Sequence, residues 1–119
     1  MAYVCSDPEK YRGKAVGSGQ CVAFVQTAAG VGHTSGWSPG QQVKGNVYIT
    51  PGTAIATFIN GIYPNQSRGN HAAIYISHDD HGIKVWDQWK GRVVDTRTIR
   101  YKEGDEDPSN DGDFYHVIE

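Results

Sequence analysis

Two strand-like arms around a polar turn limit this chain's fold more than any other feature. One arm is His71-Ala72-Ala73-Ile74-Tyr75-Ile76-Ser77, the other Ile83-Lys84-Val85-Trp86-Asp87-Gln88-Trp89, and between them lies His78-Asp79-Asp80-His81-Gly82. β-Branched and aromatic residues on either side of an Asp/Gly cluster read as an antiparallel hairpin. Strand-like runs also occupy residues 53–58, behind the turn Thr50-Pro51-Gly52, and residues 92–95 and 114–118. Helix signals lie upstream. Ser6-Asp7-Pro8-Glu9 predicts a short helix that reaches Tyr11 and stops at Gly13. Residues 21–29 predict a second helix, closed by Gly30. In that helix Val22, Val25 and Ala29 form one stripe and Cys21, Phe24 and Ala28 its neighbour, so it is expected to be mostly buried. Helices first and antiparallel strands after them predict an α+β fold, and 119 residues predict a single domain spanning 1–119.

Between these elements, residues 30–48 read as a long loop carrying Trp37, with a helical turn at Pro39-Gly40-Gln41-Gln42-Val43. Residues 60–70 and 102–112 read as polar and charged loops. The net charge of −2 gives no strong electrostatic grip on nucleic acid or an anionic membrane. The longest apolar stretch, Cys21-Val22-Ala23-Phe24-Val25, is far below the ~20 residues a membrane span needs. The N-terminus has no basic and apolar leader pattern, so no signal peptide is expected.

Chemistry concentrates at three positions. Cys21 opens the second helix behind Gly17-Ser18-Gly19-Gln20. There the positive helix end and free backbone N–H groups favour thiolate, and the glycines let substrate approach the backbone. A structural thiol in an apolar helix is the plainer alternative. His71 heads the first hairpin arm, and Ala72 and Ala73 leave room beside it for a neighbouring helix. If the hairpin turns about Asp79, Asp87 lies directly opposite His71; a two-residue change in pairing keeps both on one face as diagonal neighbours. A carboxylate there orients the imidazole and stabilises imidazolium. Cys, His and acid together make the set that acyl transfer needs.

Other clusters carry less. His78-Asp79-Asp80-His81 contains metal-ligand types but sits where turn residues are wanted. The run from Asp105 to Asp113 lacks the acidic twelfth residue of a calcium loop, Ile118 standing there when the count starts at Asp107. Asn65-Gln66-Ser67 is a glycosylation sequon. The spacing of Cys5 and Cys21 fits no zinc pattern, and the two could form a disulfide in an oxidising compartment. No metal or other cofactor is expected.

Gly19-Gln20-Cys21-Val22-Ala23-Phe24-Val25 closely resembles the nucleophile motif of the CHAP amidases, relatives of the NlpC/P60 peptidases. Pro51-Gly52-Thr53-Ala54-Ile55-Ala56 is similar to that group's Pro-Gly-Asp strand start, with Thr53 in place of Asp. Asn70-His71-Ala72-Ala73-Ile74-Tyr75-Ile76 resembles its histidine strand, and Asp87, or Gln88 after it, falls at its third polar position. The Gly-Ser-Gly-Gln-Cys-Val-Ala-Phe-Val-Gln run resembles the type VI secretion amidase effectors, in the class also found as domesticated amidase effectors in eukaryotes. The resemblance implies a papain-like fold, with N-terminal helices packed on an antiparallel sheet. It implies a peptidoglycan amidase or endopeptidase that cuts the meso-diaminopimelate to D-alanine crosslink, secreted by a type VI system and active in the target periplasm. A cognate immunity protein would plug the cleft. Within that reading Cys21, His71 and Asp87 are catalytic. Gly19, Gln20, Trp37, Tyr75, Gln88 and Trp89, with Trp86, are expected to supply the oxyanion site or line the groove. A cysteine peptidase or acyltransferase acting on other amides, and a non-catalytic wall-binding module, stand as alternatives.

Overall fold

A computed structural model describes residues 2–64, 66–104 and 107–119. Among these, one α-helix, α1 (Cys21–Ala29), packs on a six-stranded antiparallel sheet. The strands are β1 (Pro39–Gln42), β2 (Ala54–Thr57), β3 (Ala72–His78), β4 (Gly82–Trp89), β5 (Arg92–Arg100) and β6 (Tyr115–Ile118), in the spatial order β1-β6-β2-β3-β4-β5. The α+β expectation holds, with differences in detail. The first predicted helix is a single 3₁₀ turn, Pro8–Tyr11, which ends where Arg12 leaves the helical region (ψ 131°) and Gly13 takes a φ of 80°. The helical turn expected at Pro39 to Val43 is instead the edge strand β1, held by reciprocal Ser38 and Glu119 backbone bonds of 2.7 and 2.8 Å.

Helix α1 starts and stops where its residues dictate. Gln20 is extended at the N-cap, and Gly30 closes the C-terminus with φ 75° and its N–H on the Gln26 carbonyl at 3.0 Å. Only Phe24 and Val25 are fully buried, fewer than the two apolar stripes predict. Those two press against Ala54, Ala56, Ala72 and Ile74 of the sheet. Ala56 faces Ala72 across the β2–β3 pair, and small side chains there let the helix come close. The opposite sheet face has its own core of Ile55, Ala73, Tyr75, Val85, Ile99 and Tyr115, onto which Ile49 and Tyr101 fold.

The β3–β4 hairpin turns through residues 79–81. The Asp79 carboxylate accepts from the N–H groups of His81 (2.8 Å) and Gly82 (3.2 Å), so it serves the turn rather than a metal. Asp111 is likewise structural, accepting from the N–H groups of Lys102, Gly104 and Asp113. Asp105 and Glu106 of the acidic run, and Asn65 of the sequon, lie outside the described residues.

Gln88 ties the segment before the helix to β4. Its side-chain amide donates to the carbonyls of Val16 and Gln20, both at 2.8 Å, and its oxygen accepts from the Val16 N–H at 2.9 Å. These buried bonds fix where α1 begins. Gln88→Ala leaves the Val16 groups unpaired, so the unfolding free energy in urea is expected to fall by about 2 kcal/mol.

Candidate active site

The helix start and the β3–β4 pair bring Cys21, His71 and Asp87 together. In the hairpin, Ile74 faces Trp86. Continued along the strands, that register sets Asp87 against Ala73 and His71 against Trp89. His71 and Asp87 are therefore diagonal neighbours rather than directly opposed, and the diagonal is close: His71 Nε2 lies 2.8 Å from Asp87 Oδ2. Asp87 and Gln88 are consecutive on β4, so they point to opposite faces. Asp87 takes the imidazole, while Gln88 faces Val16 and Gln20.

With Nε2 on the carboxylate, the other imidazole nitrogen is left for the thiol. Burial opposes ionisation of Cys21. The hydrogen bond and charge of His71, the Ala72 N–H and the Tyr63 hydroxyl outweigh it, and the thiol titrates below its usual value. Burial disfavours the charged imidazole too. Hydrogen bonds to Asp87 and Cys21, with both their charges, reverse this and raise His71 to about 9. Thiolate and imidazolium thus sustain each other.

Asp87 is fully buried, a costly place for a carboxylate unless it is paired. Two arginines meet the cost. Arg92 Nη1 lies 2.8 Å from Oδ1, and Arg97 Nε lies 2.7 Å from Oδ2. Burial pushes Asp87 up, but the hydrogen bond and charge of His71, followed by Arg97, keep its carboxyl below the usual range. Both guanidinium groups also cover the Trp89 ring, at 4.5 and 5.1 Å, and that ring meets His71 edge-on at 6.3 Å.

Tyr63 and the two arginines were not among the residues singled out from sequence. Tyr63 gives its hydroxyl to the thiolate and accepts from Asn70 Nδ2 at 3.0 Å. Burial, then the nearby Cys21 charge, pushes its own ionisation far upward, so it stays a donor. Its position in an irregular loop carries no periodic signal. Arg92 and Arg97 have opposite parity on β5, yet both reach Asp87. The pairing shifts by one residue between Asp87 and Trp89, which returns Arg92 to the Arg97 side.

The other expected groove residues divide. Gln20 and Trp89 line the cavity at Cys21 together with Tyr63 and Lys90. Gly17 and Gly19 hold φ of 58° and 87°, so the turn before the helix requires them whether or not substrate comes near. Trp37 does not line the thiol's cavity. It is buried, with Nε1 2.9 Å from the Gly32 carbonyl and its ring on Tyr63 at 4.8 Å, and it supports the site from behind. Tyr75 shares strand parity with His71 but stands four residues farther on, about 13 Å along an extended strand. Its hydroxyl meets His78 Nδ1 at 2.6 Å instead. Trp86 is buried in the core beneath the helix. Cys5 is buried, and both thiols are free. No group of three His, Cys, Asp or Glu among the described residues could hold a metal ion, and none of their helices is long and apolar enough to cross a membrane.

Known proteins are similar to this chain in sequence and in fold. The type VI secretion amidase effector 2 protein of Salmonella typhi is 49% identical over 81 residues, 68% of this chain and 61% of that protein. The chain thus spans less than two thirds of that relative's length. Domesticated amidase effector 2 of Ixodes scapularis is 39% identical over 122 residues, covering 97% of this chain and 83% of the tick protein. Among solved structures, a type 6 secretion amidase effector 2 superposes with a TM-score of 0.89 at 38% identity, covering 98% of this chain and 94% of that one. This likeness bears out the papain-like fold, a helix bearing the cysteine on an antiparallel sheet. The family model of domesticated amidase effector 2 matches residues 1–118, and the chain belongs to that family of amidase effectors.

Proposed function

We propose that this protein is a cysteine peptidoglycan amidase that hydrolyses the crosslink between meso-diaminopimelate and D-alanine in the walls of competing bacteria. The observation that carries this reading is the line from a half-buried thiol to a buried imidazole and carboxylate, with the thiol's ionisation eased, opening into a cleft. The names of the relatives above support amidase chemistry and type VI secretion as the route; the wall as target and action in the target periplasm complete the proposal. A cognate immunity protein that fills the cleft belongs to the same reading.

Cys21 thiolate attacks the scissile carbonyl, and the carbonyl π electrons move to oxygen. As the first residue of α1, Cys21 has an N–H with no acceptor inside the helix, so that donor can meet the oxyanion, with the Gln20 side chain beside it. His71 then delivers its proton to the leaving amine as the C–N bond breaks. Asp87 holds the ring so that the nitrogen facing the thiol does this work. A water molecule, deprotonated by His71, releases the acyl group and restores the thiol–imidazole pair.

The eased ionisation of Cys21 favours an enzyme over a wall-binding module. Iodoacetamide at neutral pH is expected to label Cys21 while the buried Cys5 stays unmodified; equal labelling by peptide mass spectrometry would favour the binding module. Digestion of purified sacculi, with casein as a second substrate, separates wall from general peptidase activity. Cys21→Ala and His71→Ala are expected to lose cleavage by at least ~10³-fold with the fold retained, and undiminished digestion by Cys21→Ala removes the assignment.

The pH profile follows from the two shifts. Activity needs thiolate together with imidazolium, so kcat/KM rises as pH climbs through the lowered Cys21 value and falls as His71 loses its proton near 9. Asp87 helps to hold that proton, so Asp87→Asn is expected to move the descending limb to lower pH. A limb that stays in place would mean Asp87 does not act on His71.

A further inference from the structure

The cleft at Cys21 continues beyond the imidazole. A second cavity of about 340 Å³ shares Ser67, Asn70, His71 and Trp89 with the one at the thiol, so a single groove runs past Cys21 with His71 and Trp89 at its waist. Arg68, Arg97 and Asp107 line the far part. Among the described residues around it, Arg68, Arg92 and Arg97 stand against the carboxylates of Asp87 and Asp107, a positive balance before His71 is counted.

The two arginines on Asp87 are not equivalent. Arg92 uses both ends of its guanidinium within the protein: Nη1 on Asp87 Oδ1 and its backbone carbonyl, Nη2 on the Thr96 carbonyl at 3.2 Å. Arg97 gives only Nε to Asp87, and its two Nη nitrogens meet no acceptor among the described residues. Arg68 is exposed and likewise makes no hydrogen bond or ion pair there. Asp107 lines the same part of the groove and is partly engaged by its own turn. Its Oδ1 is already taken by the Ser109 hydroxyl (2.6 Å) and N–H (2.9 Å). These bonds, with the Arg68 charge behind them, hold its carboxyl below the usual range.

We propose that this cavity is a carboxylate subsite, in which the free Nη edge of Arg97, aided by Arg68, binds the carboxylate beside the scissile nitrogen of a diaminopimelate crosslink. The inference rests on the peptidoglycan reading above and adds which feature of the crosslink is recognised. In such a crosslink the leaving nitrogen belongs to an amino-acid centre, so the adjacent carbon carries a free carboxylate. In a lysine crosslink that carbon is a plain methylene. The leaving nitrogen must lie against His71, which protonates it. Arg97 is anchored on the same carboxylate oxygen as His71, at 2.7 and 2.8 Å, so its spare donors sit on the leaving-group side. A planar guanidinium edge matches a carboxylate with two parallel hydrogen bonds.

The test uses two synthetic crosslinked muropeptides that differ only in the leaving-side diaminopimelate, one with the free carboxylate and one with a carboxamide. The wild-type protein is expected to show a kcat/KM about 10–100-fold higher on the carboxylate. Arg97→Gln should abolish that preference, and Arg68→Ala, which leaves Asp87 untouched, should narrow it. Equal wild-type kcat/KM on both substrates overturns the subsite while leaving the amidase reading intact. So does Arg97→Gln lowering both by the same factor, since that marks a role through Asp87 alone. Cleavage of neither substrate overturns the amidase reading, and the subsite with it. If Arg97→Gln does not fold, the wild-type ratio and Arg68→Ala decide.

Discussion

A buried negative charge organises this molecule. Asp87 lies out of water on a central strand, where an unpaired carboxylate would cost several kcal/mol or take up a proton. Three cationic partners surround it, and each thereby acquires a fixed place: His71 beside the thiol, Arg92 across the end of β5, Arg97 toward the groove. Removing one partner leaves two on the carboxylate, whereas removing Asp87 takes the shared anchor from all three at once. The imidazole is held in one orientation with Nε2 committed, which gives the other nitrogen a single use.

The thiol reaches this cluster through the helix. Alanines at positions 54, 56 and 72 let α1 settle on the sheet, and Phe24 and Val25 fill the space between. The start of α1 then meets the Ala72 N–H, the imidazole and the Tyr63 hydroxyl, all of which favour negative sulfur. An ordinary apolar core thus places the thiol beside the imidazole. Trp37, expected in the groove, contributes from the core side by seating Tyr63.

Legibility from sequence followed the kind of signal each residue left. The bounds of α1 could be read because Gly30 stops it and the residues before Cys21 cannot extend it. The hairpin could be read because its turn is rich in Asp and its arms in β-branched and aromatic residues. β1 was opaque: Pro39-Gly40-Gln41-Gln42 has neither alternation nor strand propensity, and only backbone pairing with β6 makes it a strand. At the candidate site, the meeting of Cys21, His71 and Asp87 could be read because a helix end and a hairpin register suffice to relate them. Arg92 and Arg97 were not, since their common target depends on a one-residue irregularity that composition does not record. Tyr75 illustrates the opposite error. Parity was right, but parity says nothing of distance along a strand.

Adjacent residues of β4 hold the two halves of the thiol–imidazole pair. Asp87 steers the imidazole on one side, and Gln88 anchors the backbone leading to Cys21 on the other. The strand is a common datum, so if it breathes or tilts, imidazole and thiol are carried along in step. A shared support of this kind keeps sulfur and ring nitrogen in register with each other, which is what a reaction sensitive to small misplacements needs.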